Sequence, residues 1–420
     1  MGLRKRVRSV ALLEQLGPGL ITGAADDDPS GIATYSQAGA QFGVGLLWTM
    51  VLTYPLMAGV QLISAHIGRV TGCGLAKNMG ALLPRWAVTL LVALLFVANT
   101  VNIGADLAAM GAAGAQVTGV SAHLLTFLFA IGSLALQVMV PYRRYAKILK
   151  WLTLVLLAYV AVLFLVRLDW LAVLHGLVVP RIEGAAAVTT IVAVFGTTIS
   201  PYLFFWQSAQ EVEDVAGDPH ARPLIKAPWQ ARREFARMRL DTWFGMAVSN
   251  VVALAIMIGT AATLHAHGVT QIDTAAQAAQ ALEPVAGRFA FLLFSLGIIG
   301  TGLLAVPVLA GSAAFAIGES RGWPCGLEHK PWEARGFYAI IGLATLLGIG
   351  IDWSPFDPIK ALFWSAVVNG VIAVPIMAAM MLVVARHENM GRFTASQPLS
   401  FLGWAATAVM AAAVVAMVVV

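Results

Sequence analysis

The sequence predicts an all-α polytopic membrane protein with about eleven transmembrane helices. Hydrophobic residues make up 59% of the 420-residue chain, charged residues make up only 11%, and the mean hydropathy is +0.82. Soluble domains carry about 25% charged residues. Apolar stretches of about 20 residues, the length that spans a bilayer, recur along the whole chain. They lie near residues 17–43, 44–66, 86–115, 121–140, 147–167, 185–210, 241–265, 289–317, 336–352, 361–385 and 400–420.

The segments between these helices alternate between many and few basic residues. If the first segment lies in the cytoplasm, all but four of the 26 Lys and Arg residues fall on the cytoplasmic side. The exceptions are Arg167, Arg181, Arg288 and Lys360. Because cytoplasmic loops of membrane proteins are enriched in Lys and Arg, we expect a multi-pass protein of the cytoplasmic membrane. Its N-terminus is then cytoplasmic and its C-terminus lies outside.

The placement of basic residues on the cytoplasmic side also accounts for the sequence pI of about 9.4. We therefore expect the protein to lie in a lipid bilayer and to bind no nucleic acid. Cys73 and Cys325 fall in predicted cytoplasmic segments, where disulfides are rare. The chain has no phosphate-binding loop, HExxH motif or nucleophile elbow. We expect no enzyme, no cofactor and no obligate protein partner.

The first predicted helix contains three consecutive carboxylates, Asp26, Asp27 and Asp28. A charge at the centre of a membrane helix costs roughly 2.5 to 3.5 kcal/mol on insertion scales, so these side chains need a compensating cation or solvent. The Pro-Ser-Gly at 29–31 that follows removes a backbone donor and loosens the chain. The helix is therefore expected to unwind here and to expose carbonyl oxygens beside the carboxylates.

Three polar residues of the third predicted helix, Asn99, Asn102 and Asp106, share one face because they are spaced by three and four. A carboxylate within the membrane is a functional candidate by default, and a purely structural Asp106 is the alternative. Asn369, in the tenth predicted helix, is a lone amide of the kind that more often bonds a neighbouring helix than an ion. Asp106, Asn99 and Asn369 are the candidate coupling or gating residues.

The sixth predicted helix repeats the anomaly of the first. Gly196, Thr197, Thr198, Ser200 and Pro201 interrupt it at its midpoint. A proline alone would indicate only a kink. However, the two interrupted helices each open a block of five, and paired interruptions point to an inverted-repeat transporter with its site at the midplane.

This pattern divides a single transmembrane transporter domain, residues 1–420, into two repeats. Repeat one covers about 17–170 and repeat two about 185–385. An extra helix at about 400–420 follows them.

Four short motifs stand out, namely GPG at 17–19, Asp28-Pro29, QAGAQFG at 37–43 and GADLA at 104–108. Together they resemble the NRAMP (natural-resistance-associated macrophage protein) family of divalent-metal transporters. The resemblance implies a LeuT-type fold and alternating access. It also implies a divalent metal ion, carried as substrate, held between broken helices one and six.

The candidate ligands depart from the family pattern. The family has Asp-Pro-Gly-Asn in helix one, whereas this chain keeps Asp28 but has Gly31 in place of the Asn. In helix six, Ser200 stands where the family has Met and Tyr202 where it has His. This looks like a divergent branch, some members of which resemble magnesium carriers.

The proton path of the family also differs here. Of three helix-three acids, only Asp106 remains, because Asn99 and Ala109 occupy the other two positions. Asp26 and Asp27 occupy positions that are usually uncharged.

We therefore predict a secondary transporter of divalent cations that favours hard ions such as Mg²⁺ and accepts Mn²⁺. The alternative is a sodium-coupled carrier of a small organic solute on the same fold, and a channel or sensor is the third hypothesis. Asp28 is the expected central ligand, and the other expected members of the metal site are Gly31, Thr197, Ser200, Asp26, Asp27 and Tyr202.

Overall fold

The computed structural model of the chain describes residues 22, 23, 25–140, 155–353 and 357–420. This part of the chain is helical almost throughout, and no β-strand occurs within it. The predicted all-α class is therefore confirmed.

The first half of the described chain forms seven α-helices. They are α1 (Pro29–Phe42), α2 (Trp48–Thr71), α3 (Leu75–Leu82), α4 (Arg85–Thr118), α5 (Ala122–Met139), α6 (Leu157–Leu165) and α7 (Trp170–Val178).

The second half forms ten more. They are α8 (Gly184–Thr198), α9 (Pro201–Gly217), α10 (Ala231–Thr263), α11 (Ala275–Gln280), α12 (Glu283–Ala286), α13 (Ala290–Arg321), α14 (Arg335–Ile351), α15 (Pro358–Ala385), α16 (His387–Met390) and α17 (Gln397–Val419).

Eight helical stretches of the described residues are long and apolar enough to span a membrane, and α14 is a shorter apolar helix. The first and fifth predicted helices lie partly outside the described residues. The number of about eleven therefore stays a prediction, while the multi-pass character of the chain is clear from the eight.

Both predicted helix breaks are present. Residues 22, 23, 25 and 26 are helical, Asp27 and Asp28 are not, and α1 starts at Pro29. In the same way α8 ends at Thr198, and α9 starts at Pro201 after the extended Ser200. Proline suits the first position of a helix because it has no N–H to leave unpaired. At each break, therefore, one helix ends and a second helix begins.

The long helices pack in two groups. In one group α4 packs against α5, α13 and α14; in the other α2 packs against α9 and α10, and α1 packs against α10. Helix α15 contacts α4 as well as α1 and α8. The two breaks therefore lie where the two groups meet.

Gly196, in the last turn of α8, allows α8 to lie directly against α15. A Cβ atom at this position would collide with the carbonyl oxygen of Ala366 and approach the Cα of Gly370 to 2.8 Å. Both neighbours are backbone atoms, which cannot rotate away. The glycine therefore fixes how closely the second break approaches α15.

We expect Gly196→Ala to lower stability by about 1 to 3 kcal/mol, the usual cost of overpacking a close contact. Gly132→Ala is the matched control, because Gly132 lies within α5 and a Cβ there meets nothing within 4 Å. Thermal unfolding of the two purified variants in detergent measures the difference. Equal melting temperatures would contradict this account of the α8–α15 contact.

Candidate functional site

The Asp28 side chain occupies the first break and caps the helix that follows. Its backbone is extended (φ −70°, ψ 170°), and its Oδ1 accepts hydrogen bonds from the Gly31 backbone N–H and the Ser30 hydroxyl, each at 2.7 Å. Aspartate is a preferred N-cap residue because its oxygen satisfies an unpaired N–H of the first turn. One carboxylate oxygen is thereby fixed by α1 itself.

The second break presents oxygen atoms on the opposite side. The Ser200 hydroxyl donates to the carbonyl oxygens of Thr197 at 2.7 Å and Gly196 at 2.9 Å. Thr197 faces the first break, since a methyl group at Gly31 would lie 3.2 Å from the Thr197 hydroxyl oxygen. The structure thus brings together Gly31 and Thr197, two of the expected metal-site residues.

Tyr202, in the first turn of α9, joins the two breaks. Its hydroxyl donates to the carbonyl oxygen of Ala25 at 3.2 Å and lies 3.5 Å from Asp28 Oδ2. Tyr202 is completely buried. Its hydroxyl oxygen is therefore close to the carboxylate that the sequence identified as the central ligand.

Asn102 links the break to helix α4 and was not among the expected site residues. Its amide nitrogen donates to Asp28 Oδ2 and to Asp106 Oδ2, both at 3.1 Å, and its amide oxygen accepts from Asn369 at 3.2 Å. The spacing of four to Asp106 was visible in the sequence. It indicated a shared face but not that Asn102 would lie between the two acids.

Asn99, by contrast, does not join this network. Its amide donates to the Leu309 carbonyl and the Ser312 hydroxyl of α13, both at 2.8 Å. No hydrogen bond connects Asn99 with Asp28 or Asp106 within the described residues. Its contacts hold α4 against α13 in this structure.

Asp26 and Asp27 face a different helix from Asp28. The Ser249 hydroxyl of α10 lies 2.7 Å from Asp26 Oδ2 and 3.0 Å from Asp27 Oδ1. Sequence reasoning missed Ser249, although it is a polar residue in an apolar helix. In the part of the chain that the structure describes, no three His, Cys, Asp or Glu side chains cluster as a metal centre would require. Of the three consecutive carboxylates, Asp28 is thus the one that faces Asn102 of α4 and Tyr202 of α9.

The carboxylates around the first break are buried without cationic side chains. Asp26, Asp27, Asp28 and Asp106 are at most 4% exposed, and none of them pairs with a described Lys, Arg or His. Burying an ionised carboxylate without a partner is costly. The arrangement therefore suits a small cation at Asp28.

On one side of the breaks, helix α1 is tied to the loop before α11. The Gln37 side chain accepts from the Ile272 N–H at 3.0 Å and donates to the Thr270 carbonyl at 3.3 Å. Lys360 of α15 pairs with Asp273 of the same loop at 2.9 Å. A cavity of about 300 Å³ beside these contacts reaches α1 at Ala33, one turn from Pro29.

On the other side, two contacts hold the inner helical segments together. The Thr22 hydroxyl donates to the Gln207 side chain of α9 at 2.6 Å. The buried Glu211 pairs with Arg237, which also contacts Glu234 at 3.1 Å. Asp28, 1% exposed, is therefore enclosed from both ends of the bundle.

Comparisons with solved structures establish the fold. The manganese transporter of Eremococcus coleocola, solved in complex with an aromatic bis-isothiourea substituted compound, superposes with a TM-score of 0.73 at 17% identity, over 96% of this chain and 85% of that chain. A nucleobase-cation-symport-1 family transporter superposes with a TM-score of 0.56 at 13% identity, over 96% and 92%. These likenesses confirm the predicted LeuT-type fold.

Curated relatives are similar over most of their length. A divalent metal cation transporter MntH of Erwinia tasmaniensis is 30% identical over 302 residues, which are 69% of this chain and 68% of the relative. An MntH of Yersinia enterocolitica is 30% identical over 315 residues, 71% of each chain. These relatives are named as transporters, in agreement with the expectation that the chain is not an enzyme.

The family model described as natural resistance-associated macrophage protein-like matches residues 19–420. This match includes both helix breaks and the residues that donate hydrogen bonds to Asp28, namely Ser30, Gly31, Asn102 and Tyr202. The chain therefore belongs to the Nramp family.

Proposed function

We propose that the protein is a secondary transporter of divalent metal cations in the cytoplasmic membrane. The observation that carries the proposal is the Asp28 carboxylate, buried between two broken helices and paired with no cationic side chain of the described residues. The MntH relatives, named as divalent metal cation transporters, support the same substrate class. The metal ion is the substrate, and the proposal needs no other cofactor or protein partner.

In this proposal Asp28 Oδ2 is the oxygen that receives the ion. Oδ1 is held by the α1 cap, whereas Oδ2 is contacted by the side chains of Asn102 and Tyr202. An arriving cation replaces the Asn102 hydrogen bond, and the amide keeps its bond to Asp106. On binding, the neutral Asn102 amide beside Asp28 Oδ2 is thus replaced by the positive charge of the cation.

The remaining ligands come from neutral oxygen atoms near the two breaks. Tyr202 and Ser200 contribute hydroxyl oxygens, Thr197 its hydroxyl or carbonyl, and the chain around Gly31 its carbonyls. Asp26 and Asp27 are engaged with Ser249, so they act on the ion through their charge. Asn369 and Asp106 bear on the ion through Asn102.

We further propose that hard cations such as Mg²⁺ are preferred and that Mn²⁺ is accepted. Carboxylate, hydroxyl and carbonyl oxygens suit hard ions, and a thioether would favour softer ones. Ser200 and Tyr202 offer oxygen only. Mn²⁺ also binds oxygen ligands, so a site that accepts Mg²⁺ is expected to accept Mn²⁺ as well. This expectation fits the manganese transporter among the structural neighbours.

Alternating access is supported by the two packing groups and by the closures at both ends of the bundle. The group that contains α1, α2, α9 and α10 tilts against the group that contains α4, α5, α13 and α14. The repeats at about 17–170 and 185–385, the extra helix and the cytoplasmic N-terminus belong to the same proposal. Opening the contacts of Gln37 and Lys360 with the loop before α11 admits the ion from outside. Opening the contacts of Thr22 with Gln207 and of Glu211 with Arg237 releases it on the other side.

A sodium-coupled carrier of organic solutes is less well supported. That hypothesis relied on aromatic side chains after the second break as lids over a large cavity. Tyr202, Phe204, Phe205 and Trp206 are at most 1% exposed and belong to the packed interior. No observation therefore favours the organic substrate.

Asp28→Asn is expected to weaken Mn²⁺ and Mg²⁺ binding by about 100-fold, since losing one partner of a buried charge pair costs about 3 kcal/mol. Asparagine keeps the size and the capping oxygen. The matched control is Asp357→Asn, because Asp357 also caps a helix that begins with proline. Isothermal titration and proteoliposome uptake measure the effect, and Asp26→Asn should lose less. Wild-type uptake by a folded Asp28→Asn protein would remove Asp28 from the site.

Ser200→Met is expected to create Cd²⁺ affinity that the native protein lacks, because the thioether is a soft donor. Competition titrations with Cd²⁺, Mn²⁺ and Mg²⁺ on both proteins measure the change. Ser133→Met, at a buried serine in α5, which packs against α4, α13 and α14, is the control. Tight Cd²⁺ binding by the native protein that millimolar Mg²⁺ does not displace would refute the hard-ion preference.

Proton coupling is expected to be weak or absent. Asp106 is the only acid retained on the α4 face, and Tyr202 replaces the histidine of helix six; an ordinary tyrosine titrates near pH 10, too high for a relay near neutrality. Liposomes with an internal pH dye measure acidification during metal uptake. Strong acidification that Asp106→Asn removes would contradict this expectation.

A further inference from the structure

A cavity of about 540 Å³ lies at the end of the bundle that carries most of the basic residues. Helices α2, α10 and α17 and the segment before α17 form its walls. It is separate from the two breaks, because its lining includes neither Asp28 nor any residue that contacts Asp28. Neither the fold nor the proposed transport uses it.

Two unpaired arginines line this cavity. Arg239 comes from α10 and Arg392 from the segment before α17; both are exposed, and neither forms an ion pair with a described carboxylate. The Arg392 guanidinium lies 5.0 Å from the centre of the Phe393 ring. Among the described residues that line the cavity none is acidic, so the two arginines favour an anion.

The rest of the lining is mainly apolar. Leu62 of α2, Trp243 of α10 and Leu402 of α17 provide hydrocarbon and aromatic surface. The buried His66 is already engaged, because its Nε2 lies 2.6 Å from the Phe393 carbonyl oxygen and its ring stacks on Phe235 with the ring centres 4.7 Å apart. The cavity therefore combines two exposed positive charges, Arg239 and Arg392, with a mainly apolar lining.

The same helix that supplies Arg239 presents apolar side chains outward. Leu240, Phe244 and Val248 are 55%, 49% and 43% exposed and follow one another at intervals of four, so they lie on one face of α10. On a membrane helix such a face contacts lipid. The cavity therefore opens beside lipid, at the level where headgroups meet hydrocarbon.

We propose that this cavity binds an anionic phospholipid. The phosphate of the headgroup lies between Arg239 and Arg392, and an acyl chain runs along Leu62, Trp243 and Leu402. Basic pockets between transmembrane helices at the membrane interface bind anionic headgroups in this way. The lipid joins α17 to α2 and α10, so it acts on the group of helices that contains the first break.

Native mass spectrometry of the full-length protein in detergent tests the proposal without any metal ion. The probes are dioleoylphosphatidylglycerol, dioleoylphosphatidylcholine and inorganic phosphate. We expect phosphatidylglycerol to bind more tightly than phosphatidylcholine. Arg239→Gln with Arg392→Gln should weaken it about 25-fold, because one basic residue at an anionic surface contributes about fivefold.

Arg232→Gln with Arg386→Gln is the matched control, since both are exposed at the same end of the bundle and outside the cavity. It removes the same two charges and should leave the affinity unchanged. Equal loss in the control pair, equal affinity for the two lipids, or phosphate binding as tight as lipid binding would each overturn the proposal. Because no metal is present, failure here leaves the metal-transport proposal intact.

Discussion

The arrangement of the bundle centre depends on the burial of one carboxylate between two helix ends. Asp28 Oδ1 caps α1, and Oδ2 contacts Asn102 of α4 and Tyr202 of α9. Three helices are thus positioned by one side chain that has no cationic partner among the described residues. A charge in this position is tolerable only if a cation is present or if the neighbouring donors compensate for it, and the hydrogen bonds to Asp28 supply that compensation here.

Much of this centre was predictable because proline and acidic residues are rare within membrane helices. Asp28-Pro29 and Ser200-Pro201 marked both breaks, and their positions in corresponding blocks indicated the inverted repeat. The direction of individual side chains was not predictable. Asp26 and Asp27 face Ser249 of α10, whereas Asp28, where the chain is extended, faces Asn102 of α4. That Ser249 lies beside Asp26 and Asp27 follows from how α10 packs against the first break, which the sequence does not show.

Asn99 and Asn102 illustrate the same limit on one helix. They share a polar face, yet Asn99 bonds to α13 and Asn102 to Asp28. Their spacing of three residues separates them by about 4.5 Å along the axis, enough to reach different neighbours. The spacing of the residues predicted the shared face, but it could not show which asparagine reaches Asp28, because the positions at which α13 and α1 cross α4 are not encoded in α4.

The interrupted backbone has a consequence for the energetics of conformational change. At Asp28 and Ser200 the chain leaves the helix, and the following proline has no N–H to donate, so the hydrogen-bond ladder stops at both positions. The half-helices can then reorient without breaking the ladder of a continuous helix. Several described contacts hold the half-helices in place. They are the hydrogen bonds of Asp28 with Asn102, of Tyr202 with Ala25 and of Ser249 with Asp26 and Asp27, together with those of Thr22 with Gln207 and Gln37 with the 270–272 loop, and two ion-paired groups. A typical hydrogen bond contributes only about 1 kcal/mol net, so each hydrogen bond among these contacts is by itself a weak restraint. A reorientation at the breaks therefore exchanges contacts between helices, while the hydrogen-bond ladders within the half-helices stay intact.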